Sequence, residues 1–135
     1  RLPALPIVLI EGNHDRHAGA PPREWGFECR TGPWPLAPFL CCHEPPASPK
    51  GFVLAGHLHP AFHLRERNGA GLCNPCFHFS RRLGVLPAFG TFTGTYSIKP
   101  LLGDQVYLVG PGAVIDVSRV VELSKKKGAS LPRRG

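Results

Sequence analysis

The sequence predicts a strand-rich α/β chain built on an open sheet, and three observations carry that prediction. Short apolar runs bounded by Gly, Pro or Asn recur along the chain, which is the pattern of buried strands. No long stretch shows the amphipathic period of a surface helix. Three successive runs, Ile7-Val8-Leu9-Ile10, Phe39-Leu40-Cys41-Cys42 and Phe52-Val53-Leu54-Ala55, each close on a polar cluster containing histidine. In open α/β sheets, ligands collect at the carboxyl ends of the strands.

The first strand is expected over residues 6–11, ending at Gly12-Asn13-His14-Asp15-Arg16-His17. Residues 18–23 read as Gly/Pro-rich loop, 25–30 as a short strand, and 31–38, with three prolines, as a turn region. Residues 39–42 are expected to form a buried strand closing on His43-Glu44-Pro45-Pro46, and residues 52–55 another, closing on Gly56-His57-Leu58-His59-Pro60. Strand-like composition returns at 61–67, 76–81, 83–86 and 106–109. Phe62 and Leu64 alternate there with His63 and Arg65, as on a strand with one wet face. The small-residue stretch 86–94 is expected to pass close to the cleft or to a neighbouring sheet. Residues 114–121 fit strand or helix, and 122–135 read as a basic, disordered tail following one domain over 1–121.

At 135 residues the chain amounts to one domain at most. No apolar run approaches the roughly 20 residues of a membrane-spanning helix, so no membrane partner is expected. No secretory signal is visible. The five cysteines are an odd number, which argues against a fully paired disulfide framework and for a reducing, cytoplasmic setting. Cys41 and Cys42 read as small core residues. Cys73-Asn74-Pro75-Cys76 is a lone C-x-x-C, read as two unrelated thiols flanking a Pro turn, because no second pair completes a four-ligand zinc site. The formal charge of +7 gives weak support for a nucleic-acid partner, since much of it lies in the tail. The chain contains no methionine and Arg1 leads almost directly into a strand, from which a fragment lacking its upstream part is expected.

The chemistry concentrates at the strand ends. On an extended backbone, side chains two apart leave the same face, so His57 and His59 are expected to point into one cleft. Two neutral imidazoles held side by side suit a first-row metal, against the simpler reading of an H-x-H pair as surface polarity. The clusters at residues 13–15 and 43 favour the metal reading, because they turn separate weak signals into one site. His17, His63 and His78 read as solvated or structural.

Asn13-His14-Asp15 in a G-N-H-D motif, then His43, then His57-x-His59 in a G-H-x-H motif resemble, in order, the last three motifs of the calcineurin-like metallophosphoesterases. The resemblance implies an αββα sandwich, here a strand-rich partial copy lacking the N-terminal half. It implies that Asn13, His43 and His57 ligate one metal and His59 a second. His14 would sit near the leaving-group oxygen as general acid, with Asp15 orienting its ring; capping of the following turn is the other role open to Asp15. Two divalent ions about 3.5–4 Å apart would clamp the phosphoryl oxygens and generate a hydroxide nucleophile. Manganese is the first expectation, with iron or zinc also suited to imidazole and carboxamide donors.

Gly-Asn-His-Asp-Arg-His-Ala-Gly, Gly-His-Leu-His-Pro, Pro-Cys-Phe and Leu-Pro-Ala-Phe-Gly-Thr-Phe-Thr-Gly are similar to the ligase-associated DNA damage response endonucleases over about residues 6–117. That similarity implies DNA phosphodiester cleavage in repair, with a DNA ligase, a helicase and an exonuclease as functional neighbours. A phosphodiesterase for small nucleotides and a non-catalytic remnant are the competing readings. The family's D-x-H and G-D-x-x-[DH] motifs do not occur ahead of these; Gly103-Asp104 follows the G-H-x-H stretch. The chain alone is therefore expected to bind metal poorly and to be inactive. Calorimetric titration with manganese checks this, and tight binding of two ions per chain would refute it.

Overall fold

A computed structural model describes residues 5–65, 71–90 and 93–129. It is a strand-rich α/β arrangement of mixed sheets with few helices. The strands are β1 (Ile7–Ile10), β2 (Phe27–Arg30), β3 (Trp34–Leu36), β4 (Phe39–Cys42), β5 (Phe52–Ala55), β6 (Pro60–Arg65), β7 (Gly71–Phe79), β8 (Leu83–Val85), β9 (Tyr96–Ser97), β10 (Gln105–Gly110) and β11 (Ala113–Asp116). The helices are the single turn α1 (Asp15–Ala18) and α2 (Ser118–Ala129), with a 3-10 turn at Arg23–Trp25.

Two sheets result. β1 and β2 pair in parallel as a unit of their own. The larger sheet runs β11-β10-β7-β8-β5-β4-β3, with β6 paired to β7 and β9 to β6. Its centre, β4-β5-β8, is parallel; the flanking pairs are antiparallel. The long β7 serves two neighbours, its first half lying against β6 and its second against β8 and β10.

Several expectations change. Residues 34–36 form a strand inside the expected turn region, because Pro35 sits on the sheet's edge strand, where a missing N–H costs little. The C-x-x-C is strand, not a Pro turn: Cys73 is exposed and Cys76 is buried, since residues three apart on a strand face opposite sides. Burial pushes the Cys76 thiol up to about 12, which keeps it protonated and a poor metal ligand. Residues 113–116 are strand and the helix begins at Ser118. Asp116 starts it by accepting from the Ser118 N–H at 2.9 Å and from its hydroxyl at 2.6 Å. The tail expected to be disordered from 122 continues this helix to Ala129, anchored from its first turns by buried Val117 and Val121; residues 130–135 lie outside the described set. Residues 66–67 of the expected strand lie outside it too.

Among the described residues the core forms two small clusters. Cys76, Val106, Leu108, Val117 and Val121 fill one, beneath α2; Cys42, Val53 and Ala55 fill the other, around β4 and β5. Burying each valine contributes roughly 1.5–3 kcal/mol, so cores of such small residues give a modest margin. β1 and β4, expected to be buried strands, are only half covered, and Ile7, Phe39, Leu86, Phe89 and Val114 are exposed. Apolar surface of this kind drives association. We expect the isolated chain to self-associate and to bind a hydrophobic dye while folded; a monodisperse species in light scattering with one sharp melting transition would contradict this. No helix among the described residues is long and apolar enough to cross a membrane.

Candidate metal centre

Parallel pairing of β4 with β5 sets the site. Cys42 lies opposite Ala55, so both strands end at one level, and the Gly56 N–H donates to the His43 carbonyl at 3.0 Å. His43 and His57 consequently stand together, with ring centroids 4.9 Å apart and planes at 70°. His43 Nε2 lies 3.0 Å from His57 Nδ1 and 2.9 Å from Asn13 Oδ1. Asn13 arrives from the other sheet, at the end of β1. Three donors expected from distant parts of the sequence thus meet around one nitrogen.

The loop that delivers Asn13 is held by Asp15, whose carboxylate accepts from the Gly12 N–H at 2.7 Å. The carboxylate thus holds the backbone that precedes α1, and the N-terminus of α1 carries no side-chain cap. Gly12 is buried, and a Cβ there would lie 2.4–2.7 Å from atoms of the His43 ring. The absent side chain is what lets that imidazole lie over the loop. The sequence offered Gly12 as part of a motif without this packing role.

His57 and His59 depart from the expected extended geometry. Their φ angles are 64° and 47°, in the left-handed region that costs a non-glycine residue about 1–2 kcal/mol. The chain turns at 56–59 instead of continuing β5, and the two rings diverge. His57 joins Asn13 and His43. His59 Nδ1–H donates to the Gly94 carbonyl at 3.0 Å, leaving Nε2 available. Such a bond from the far ring nitrogen to a carbonyl is how metal-binding histidines are commonly oriented. His59 and His14 border a cavity of about 440 Å³ with Leu58, Thr93 and Gly94. Of the stretch 86–94, Thr93 and Gly94 reach this cavity, while Leu86–Phe89 line another beside Phe77, Val109 and Val114; residues 91–92 lie outside the described set. Because strain at His57 is in the backbone, His57→Gly should unfold at higher temperature than His57→Ala, by about 1 kcal/mol in stability. Equal melting of the two would deny the strain.

Burial, followed by the charge of His57, holds the His43 imidazole below its ordinary value of about 6.5, with Asp15 and Glu44 pulling the other way. His43 is thus neutral, a lone-pair donor, throughout the neutral range. The unfolded chain accepts a proton that the folded one resists. Stability linked to His43 is therefore complete above about pH 6.5 and declines as pH falls below it. Urea midpoints measured from about pH 8 to pH 5 should show that decline in the parent and a flatter profile in His43→Gln; parallel profiles would contradict the assignment.

Among the described residues no group of three or more His, Cys, Asp and Glu side chains is arranged to hold a metal ion. The cluster is two imidazoles and a carboxamide. His78, read as structural, pairs with the buried Asp104 at 2.8 Å, which also accepts from the Leu101 N–H at 2.8 Å. His17 Nδ1 lies 3.3 Å from the Asn13 carbonyl, and His63 is exposed on β6.

The chain matches no protein-family profile and no curated protein sequence. Among solved structures it is similar to the crystal structure of the Pseudomonas putida nuclease MPE, with 43% sequence identity and a TM-score of 0.70. The match covers 84% of this chain and 54% of that one, so the chain spans about half the length of the nuclease it resembles.

Proposed function

We propose that this chain contributes one side of a metal-dependent phosphodiesterase centre that cleaves DNA, as part of a calcineurin-like phosphoesterase. The observation carrying the proposal is the meeting of Asn13 Oδ1, His43 Nε2 and His57 Nδ1 at separations of 2.9 and 3.0 Å. Donors about 2.1 Å from a six-coordinate ion lie about 3 Å apart along its edges, and the two separations from His43 Nε2 match two such edges of a divalent first-row ion. Manganese is the first candidate, then iron or zinc. The similarity to a nuclease and the net charge of +7 favour DNA over small nucleotides.

A bound ion there would supply positive charge against the phosphoryl oxygens and lower the pKa of nearby water. The chain's own residues do the rest. Asn13 Oδ1 and the His43 imidazole would offer lone pairs to that ion beside the His57 ring, all three held by the parallel β4–β5 register and by the Gly12 turn. His59, with Nδ1 committed to Gly94, directs Nε2 to the cavity it shares with His14, as donor to a second ion. His14 delivers a proton to the departing alkoxide across that cavity. Roles in DNA repair beside a ligase, a helicase and an exonuclease, and a cytoplasmic setting, belong to the same proposal through the family resemblance.

The test is a manganese titration of this chain, and hydrolysis of single-stranded and nicked DNA by a version also carrying D-x-H and G-D-x-x-[DH] segments. One weakly held ion on the chain, lost in His57→Ala, and metal-dependent DNA cleavage by the longer version are expected. Cleavage of bis-p-nitrophenyl phosphate or cyclic nucleotides without any of DNA would favour the small-nucleotide reading. No hydrolysis at all would favour a non-catalytic module.

A further inference from the structure

We infer that the apolar cavity adjoining the His14–His59 cleft is a subsite for one unstacked nucleobase of the nucleic-acid substrate, a reading that rests on the proposed nuclease function. The cavity measures about 360 Å³ and is lined from β7 and β8 by His78, Leu83 and Val85 and from β6 and β9 by Pro60 and Tyr96. Leu58 and Tyr96 border it and the catalytic cleft alike, so the two spaces are neighbours across two side chains.

Its walls have the chemistry a base requires. Pro60 and Val85, both buried, supply apolar wall against which a planar ring would lose water on one face. Tyr96 is 60% exposed and offers an aromatic surface that the protein itself leaves uncovered. Stacking on such a ring is tolerant of sequence, as a nuclease subsite flanking the cut requires. Lys99 brings a cation to the cavity, placed for a backbone phosphate beside the base. His78, clamped by Asp104 through Nε2, adds an imidazole edge whose Nδ1 is not used in that pair. The volume is at the small end of ligand cavities, suited to a single nucleotide and not to a stacked duplex.

The position of Tyr96 relative to the metal side is fixed by backbone. Its N–H donates to the His59 carbonyl at 2.9 Å, and β9 pairs with β6 in the register Pro60–Tyr96. A base seated on Tyr96 is therefore indexed to the H-x-H turn, which ties the scissile phosphate to one nucleotide step.

Fluorescence anisotropy with a labelled ten-residue oligothymidylate, in the absence of metal, tests this on the intact chain. Tyr96→Ala should weaken binding about tenfold and Tyr96→Phe by less than about twofold. Lys99→Ala should lower the salt dependence by about one phosphate contact. An abasic backbone of the same length should bind the parent about tenfold less tightly and be insensitive to Tyr96→Ala. Should Tyr96→Ala fail to fold, amide shifts of the parent on adding thymidine monophosphate replace it, expected at Val85, Ile98 and Lys99. Unchanged binding by Tyr96→Ala, equal weakening of normal and abasic strands, or shifts only elsewhere would overturn the subsite. Metal binding and hydrolysis with no Tyr96 effect would remove the subsite alone. A base-dependent Tyr96 effect, with neither metal binding nor DNA hydrolysis by the longer version carrying D-x-H and G-D-x-x-[DH] segments, would remove the hydrolytic reading alone.

Discussion

His14→Ala should lower the rate of DNA cleavage by about 10²–10⁴-fold while leaving manganese affinity unchanged. The expectation follows from separation within the site. Asn13, His43 and His57 meet at 2.9–3.0 Å, whereas His14 is exposed and borders the cavity shared with His59. On the proposed mechanism, removing its imidazole takes away the proton donor and none of the three donors proposed for the ion. The control is the leaving group. An alkoxide needs a proton as it departs; p-nitrophenolate is stable without one. The same variant should therefore lose far less activity on bis-p-nitrophenyl phosphate than on DNA, measured in the longer version described above. Equal losses on both substrates, or a parallel loss of manganese binding, would mean that His14 serves structure or metal instead of proton transfer.

Gly12→Ala should weaken manganese binding by about 10–100-fold although Gly12 supplies no donor itself, the scale seen when groups supporting metal ligands are altered. Three atoms of the His43 ring lie where the new methyl would go, at 2.4–2.7 Å. The ring is the movable partner, so it swings and takes Nε2 away from Asn13 and His57. The fold should survive, because the clash falls on a side chain end and not on backbone. Titration calorimetry of the variant, with circular dichroism as the check on folding, measures the effect. Retained affinity in a folded Gly12→Ala protein would show that His43 is not a ligand in this geometry.

Much of the site was legible because its residues follow apolar runs of four that fold as strands almost where expected: β1, β4 and β5 end within a residue or two of the polar clusters. The approach of Thr93 and Gly94 to the cleft was legible too, from the small residues around them. The geometry between His57 and His59 was not. Alternation presumes an extended chain, and the left-handed turn at 56–59 breaks it; two histidines give no local signal of positive φ. The C-x-x-C invited a turn through its proline, yet β7 carries Pro75 through, because long-range pairing with β6, β8 and β10 outweighs local preference. The helix over 118–129 was hidden by its lysines, which favour helix as readily as solvated coil, and was decided by Val117 and Val121 docking on the core.

By itself the sequence determined which donor types stand at the ends of which strands, since hydrophobic runs and the residues closing them are local properties. Only the tertiary structure decided which of those donors meet. The parallel β4–β5 register and the approach of a separate β1–β2 unit brought Asn13 to His43 and His57 and turned His59 toward Gly94. Contacts between residues 14 and 30 positions apart depend on strand pairing and chain reversal, and no periodicity along the chain encodes those.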